Sequence, residues 1–134
     1  IRYALMPHKG NWEDANIPLA AELFNVPVRP VQTRKHSGTL SSGQASFFKI
    51  DNSMLRFSTL KKAENTNSFV MRFYNPVSQT QKAKLEFTTE LTDAWLTNLN
   101  EERQKCLDIT ESNSLLIIVE PYKIITIEIQ VKMG

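Results

Sequence analysis

A metal centre, a nucleophile and a sugar-stacking ring each demand particular side chains, and each can be sought by residue type and spacing. Zinc requires three or four His, Cys or carboxylate ligands, commonly with two close together. The sequence offers His8, His36 and Cys106, far apart, and contains no zinc motif. Asp93 or Glu101 would complete only a distant site that no spacing points to, and both histidines read as polar loop or hydrogen-bonded structural residues. A cysteine nucleophile needs a nearby His and an electropositive pocket. Cys106 lies between Lys105 and Leu107 in a predicted strand and reads as a small core residue. The four glycines form neither a dinucleotide pattern nor a phosphate loop, and no serine sits in a nucleophile elbow. Glycosidic hydrolysis uses two carboxyl groups about 5 to 9.5 Å apart, and fourteen acidic residues are too many to pair from sequence alone. Tyr3, Trp12, Tyr74, Trp95 and Tyr122 are the rings on which a sugar face would stack. At 9% aromatics, most rings are instead expected in the core or over its ends. The chain is thus expected to carry no catalytic residue, no metal ligand and no cofactor, and not to be an enzyme by itself.

The elements that would position any site are mostly strands. Lys82 to Thr88 alternates cleanly, with Ala83, Leu85 and Phe87 opposing Lys82, Lys84, Glu86 and Thr88, as a half-buried strand should. Tyr122 to Lys132 repeats the pattern, with Ile125, Ile127, Ile129 and Val131 inward and Thr126, Glu128, Gln130 and Lys132 toward water. Ser114 to Glu120 is a more uniformly apolar strand ended by Pro121, pairing with the final strand or crossing to a facing sheet. Phe69 to Tyr74 is a strand with Phe69, Met71 and Phe73 on one face, closed by Asn75 and Pro76. Phe47 to Ile50 and Met54 to Leu60, around Asp51, Asn52 and Ser53, predict a hairpin.

Nearer the start, Ile1 to Met6 predicts a short strand stopped by Pro7. Ile17, Leu19, Ala20, Leu23 and Phe24 fall near helical spacing. They predict one short helix around residues 13 to 24, with Pro18 confined to its first turn or bounding it and Asn25 ending it. Val26 to Val31, with two prolines, predicts an edge strand, and the polar residues 33 to 45 a mobile loop. No internal repeat is present. Several short strands with one helical segment predict a mostly β protein, an antiparallel β-sandwich with a short helix near the N-terminus.

Composition agrees with one domain over residues 1–134. Apolar residues make up 41% of the 134 and charged residues 22%, enough for a core without disulfides. The net charge of +2 comes from scattered residues, which gives no reason to expect nucleic acid. No run approaches the roughly 18 apolar residues of a membrane span. The lone cysteine suits a reducing compartment, hence an expected cytoplasmic location. A start at Ile1 without Met or a signal-like segment suggests a fragment or processed chain.

Six ordered segments carry a resemblance. Tyr3 to Trp12 (YALMPHKGNW), Ala21 to Val28 (AELFNVPV), Leu60 to Glu64 (LKKAE), Met71 to Pro76 (MRFYNP), Trp95 to Glu101 (WLTNLNE) and Pro121 to Ile127 (PYKIITI) span nearly the whole chain. Together they resemble bacterial glycoside hydrolase family 38 α-mannosidases. Asn11 stands where members often have Asp, and Met6 and Phe73 replace other apolar residues.

The resemblance implies the C-terminal β-sandwich region of a parent glycosidase acting on α-mannosides or on mannosylglycerate-type compounds. In that family a divalent metal, usually zinc, and the carboxylate nucleophile of a retaining mechanism lie in an N-terminal α/β domain, so no catalytic or metal ligand carries over. The implied partners are the parent's catalytic and middle domains and, through them, an α-mannoside, in a parent that can be homo-oligomeric. His8 and Arg72 are the residues with a candidate place in the parent's substrate cleft. The competing readings are an independent carbohydrate-binding module and a purely structural or oligomerisation domain.

Overall fold

In a computed structural model the chain divides into two compact units, Ile1–Gly38 and Thr39–Gly134, and residues 3–26, 28–35, 37–38 and 43–132 are described. The boundary falls within the polar stretch 33 to 45, whose described residues have no regular secondary structure.

The first unit is built on one helix, α1 (Ile17–Asn25). It starts later than the sequence predicts, because the residues before it are used in a turn. Asp14 N–H donates to Asn11 Oδ1 at 2.8 Å, and Asn11 N–H donates back to Asp14 Oδ2 at 3.4 Å. Asn16 then adopts a left-handed φ of 48°. Pro18 sits in the first helical turn, where a missing N–H costs nothing. The strand predicted over Ile1 to Met6 is not formed in its described part. Tyr3, Ala4 and Met6 instead line a groove with Ile17, Ala20 and Phe24, and among the described residues of this unit no strand is available to pair with them. The edge strand predicted over Val26 to Val31 is likewise absent among described residues, and Val28 and Val31 are exposed. Two prolines in six residues remove the donors that a ladder there would need.

Among its described residues the second unit holds nine strands: β1 (Phe48–Ile50), β2 (Arg56–Lys62), β3 (Phe69–Tyr74), β4 (Gln81–Phe87), β5 (Leu91–Thr97), β6 (Arg103–Cys106), β7 (Ile109–Thr110), β8 (Ser114–Val119) and β9 (Ile124–Val131). They form two antiparallel sheets, ordered β1-β4-β8-β7 and β2-β3-β9-β5-β6. Leu85, Leu115 and Ile117 of the first sheet pack with Met71, Phe73, Ile127 and Ile129 of the second in one core. The predicted sandwich with one short helix is the observed fold.

One local expectation fails for an instructive reason. Phe47 to Ile50 and Met54 to Leu60 do not pair as a hairpin. β1 pairs with β4 and β2 with β3, so residues 51 to 55 form a corner between sheets. The turn chemistry is real, since Asn52 Oδ1 accepts from Met54 N–H at 2.8 Å and Asn52 Nδ2 donates to Lys82 O at 2.9 Å. It turns the chain across the sandwich, and Phe48 meets Phe57 from the opposite sheet at 5.2 Å between centroids. β8, for which two placements were open, lies in the facing sheet beside β4, with Leu116 and Ile118 exposed. At the β3–β4 crossing, buried Asn75 donates through Nδ2 to Gln79 O, Val119 O and Glu120 O at 2.7, 3.1 and 3.0 Å. One side chain thereby ties two crossings together. Among the described residues no helix is long and apolar enough to cross a membrane.

Candidate functional site

On the outer face of the five-stranded sheet, Gln130 and Lys132 meet water as expected, whereas Thr126 and Glu128 do not. Strand β9 places Thr126 and Glu128 on that face, and both are only 3% exposed. The register sets Glu128 between Val70 of β3 and Trp95 of β5, and Thr126 between Arg72 and Thr97. Local alternation gave the correct direction for these side chains. What covers them comes from distant sequence: the β2–β3 loop and the edge strand β6.

Burying a carboxylate is costly unless charge and hydrogen bonds compensate. Arg103 on β6 supplies the fork, with Nε to Glu128 Oε2 at 2.9 Å and Nη2 to Oε1 at 2.8 Å. Thr66 Oγ1 donates to Oε1 at 2.8 Å, and Ser68 Oγ donates to the same oxygen. Chiefly through the Arg103 bonds, and then the two hydroxyls, these donors outweigh desolvation and hold the Glu128 carboxyl down at about 2. The guanidinium also lies 5.0 Å from the Trp95 ring centroid. The indole N–H of Trp95 is enclosed without an acceptor among the described residues.

A second charged group roofs the neighbouring part of the face. Lys61 of β2 bonds Glu101 Oε1 at 2.5 Å and Glu64 Oε1 at 3.1 Å, although β2 and β5 are separated by two strands. Glu101 Oε2 also accepts the Glu64 backbone N–H at 3.1 Å. The hydrogen bond from Lys61, followed by that N–H, lowers the Glu101 carboxyl, and the Lys61 ammonium is raised by Glu101 and then Glu64. Glu101 holds a left-handed φ of 66° within a turn fastened by Asn98, whose Oδ1 accepts from Asn100 and Glu102 N–H at 2.9 and 3.0 Å.

Between this roof and the sheet lies a polar cleft of about 580 Å³, with Arg72 among its lining residues. Arg72 Nε donates to Thr126 Oγ1 at 3.1 Å, while its terminal amino groups have no acceptor among the described residues. Arg72 is half-buried in a cleft of the second unit, and His8 is an exposed residue of the first. His36 lies outside the described residues. Cys106 is on a strand, as expected, but it is exposed and not a core residue, because β6 is a sheet edge exposed along its length. The phenylalanines Phe48, Phe57, Phe73 and Phe87 enter or flank the core, whereas Tyr3, Tyr74, Tyr122 and Trp12 are exposed.

Sequence reading missed Glu128, Arg103, Ser68 and the Lys61–Glu101 pair. One signal was present: Val70 breaks the alternation of β3 with an apolar residue on the outer face, and it is fully buried there. Among the described residues no three His, Cys, Asp or Glu side chains are grouped to hold a metal ion.

Residues 54–127 match the family described as the glycosyl hydrolases family 38 C-terminal beta sandwich domain. Alpha-mannosidase 2C1 of Homo sapiens is 26% identical over 129 residues, covering 93% of this chain and 12% of the relative. The Mus musculus protein of the same name is 25% identical over 126 residues, covering 91% and 12%. The chain thus spans about an eighth of the length of the curated relatives it matches. The matched residues run from the corner before β2 to the middle of β9 and so contain most of the sandwich core; the chain belongs to the family 38 glycosyl hydrolase C-terminal β-sandwich domains.

Proposed function

We propose that this chain is a non-catalytic accessory domain of a family 38 α-mannosidase, packing on the rest of a longer polypeptide that hydrolyses α-mannosidic bonds. The family match over the sandwich carries the reading. A structural observation supports it. One end of the sandwich opens as an apolar groove of about 360 Å³, with Phe47, Leu60 and Phe69 exposed at its rim and Met71, Phe87 and Ile129 among its lining. An apolar groove of this kind is a surface on which a further domain can pack. On this reading the rest of the polypeptide supplies the nucleophile and a zinc or other divalent ion for a retaining mechanism. The described residues here do not fit a metal, and no step is assigned to one. A bacterial origin, an α-mannoside or mannosylglycerate-type substrate, a homo-oligomeric parent, a cytoplasmic location and an approach of His8 or Arg72 to the cleft all belong to the same proposal.

The complete polypeptide bearing this sequence should release the aglycone from an aryl α-mannoside, and the 134-residue chain alone should release none. Hydrolysis by the chain alone, persisting through chelation and repeated purification, would overturn the non-catalytic reading. Inactivity of the complete polypeptide on α-mannosides would overturn the mannosidase assignment.

A further inference from the structure

We infer that the polar cleft beneath the Lys61–Glu101 pair is a binding site for a neutral polyhydroxylated ligand, a single hexose unit of a glycan. Its size falls within the range of small-molecule sites. The inference goes beyond the accessory role, because it concerns what this sheet face binds without help from another domain.

Charge decides the ligand class first. Lys61 and Arg72 face Glu64 and Glu101 in the cleft, two cations against two carboxylates, and both Glu64 and Glu101 already hold Lys61. An anion would gain little from a site so neutralised, and a cation would meet Arg72. A neutral ligand escapes both penalties.

Hydrogen-bonding capacity decides next. The terminal amino groups of Arg72 form a planar fork suited to two oxygens at once, as adjacent hydroxyls of a sugar present them. The fork is held in place from behind, because Nε is bonded to Thr126 Oγ1. Around it, the side chains of Ser58, Thr59 and Asn100 have no hydrogen-bond partner among the described residues. Hydroxyls and an amide both donate and accept, which matches a ligand whose groups do the same. Leu99, exposed at the rim, offers an apolar patch for the C–H face of a ring. The walls are set before binding: Asn98 fastens the turn that carries Leu99, Asn100 and Glu101, and Lys61 clamps that turn across the sheet. A preorganised site loses less to ordering on binding.

Titration of the isotope-labelled 134-residue chain with methyl α-mannoside, followed by NMR, tests the inference. Saturable shifts of Thr59, Arg72 and Asn100, including the Arg72 side-chain N–H, are expected at millimolar ligand, with no matching response to sodium sulfate. Arg72→Lys keeps the charge but loses the fork, and should weaken binding by about tenfold. If that variant does not fold, Asn100→Ala, in an exposed turn, should weaken it by about threefold in a spectrum otherwise unchanged. An absence of saturable shifts up to about 100 mM, an equal response to sulfate, or undiminished binding by a folded variant would overturn the inference. Since the chain alone is used, the outcome is separable from hydrolysis by the complete polypeptide.

Discussion

Strand β9 hides side chains on both of its faces and hides them by opposite means. Inward, Ile127 and Ile129 join an apolar core shared by both sheets. Outward, Thr126 and Glu128 are just as buried, bonded to two arginines and two hydroxyls. The inner face is non-directional, and its stability follows the apolar area removed from water. The outer face is directional, and each member leaves a partner stranded when it is removed. Burial alone therefore does not say what a substitution will cost. The inner face should respond to volume, and the outer to chemistry and pH.

The largest expected effect tests the inner face. Ile127→Ala and Leu85→Ala, at positions with no exposure, should each cost about 2 to 5 kcal/mol in urea-induced unfolding. The cost should be the same at pH 7 and pH 4, because no titrating group is removed. Melts that superimpose on wild type would refute the core assignment.

Arg103→Ala tests the outer face. It leaves the Glu128 carboxylate buried with only the Ser68 and Thr66 donors, so a loss of about 3 kcal/mol is expected at neutral pH, near the low end for a broken buried pair. The pH dependence carries a sign. Glu128 is held at about 2 in the folded chain, below its ordinary 4.5, so its contribution is complete above 4.5 and fades as pH falls through about 2. Without Arg103 the folded carboxyl titrates higher, and the stability gap between variant and wild type should narrow as pH falls from 6 toward 2. A gap that stays constant over that range would dissociate Glu128 from the effect. The smallest effect is expected for Trp95→Phe. The lost indole N–H has no acceptor among the described residues, so the change should cost under about 1 kcal/mol despite the buried nitrogen. A loss of several kcal/mol would show that the indole contributes more than a ring beneath Arg103.

The inner face was legible in the sequence, and the outer one only in direction. Strands β4 and β9 announce themselves because a period of two persists over seven or eight residues, and side-chain direction is a local property. Coverage is not local. Ser68 lies 60 residues from Glu128, and Lys61 reaches a turn across two intervening strands, so Thr126 and Glu128 of β9 read as wet positions. The same limit explains β1 and β2. Their turn was visible in Asp51 and Asn52, but whether a polar turn folds strands together or carries them to opposite sheets depends on β3 and β4. Arg72 could be singled out by resemblance to a family. The unused amino groups that make it a candidate ligand-binding residue exist only once Thr126 has taken its Nε.

The order of the strands has a further consequence for how copies of the sandwich meet. Its sheets end on β1, three residues long, on β7, two residues long, on β6, with Arg103 and Lys105, and on β2, with a register shift between Phe57 and Thr59 and two lysines at its end. Short length, irregularity and positive charge are the devices that keep a β border from templating another chain. The sandwich is thus guarded on all four borders against growing into a continuous ribbon with its own copies.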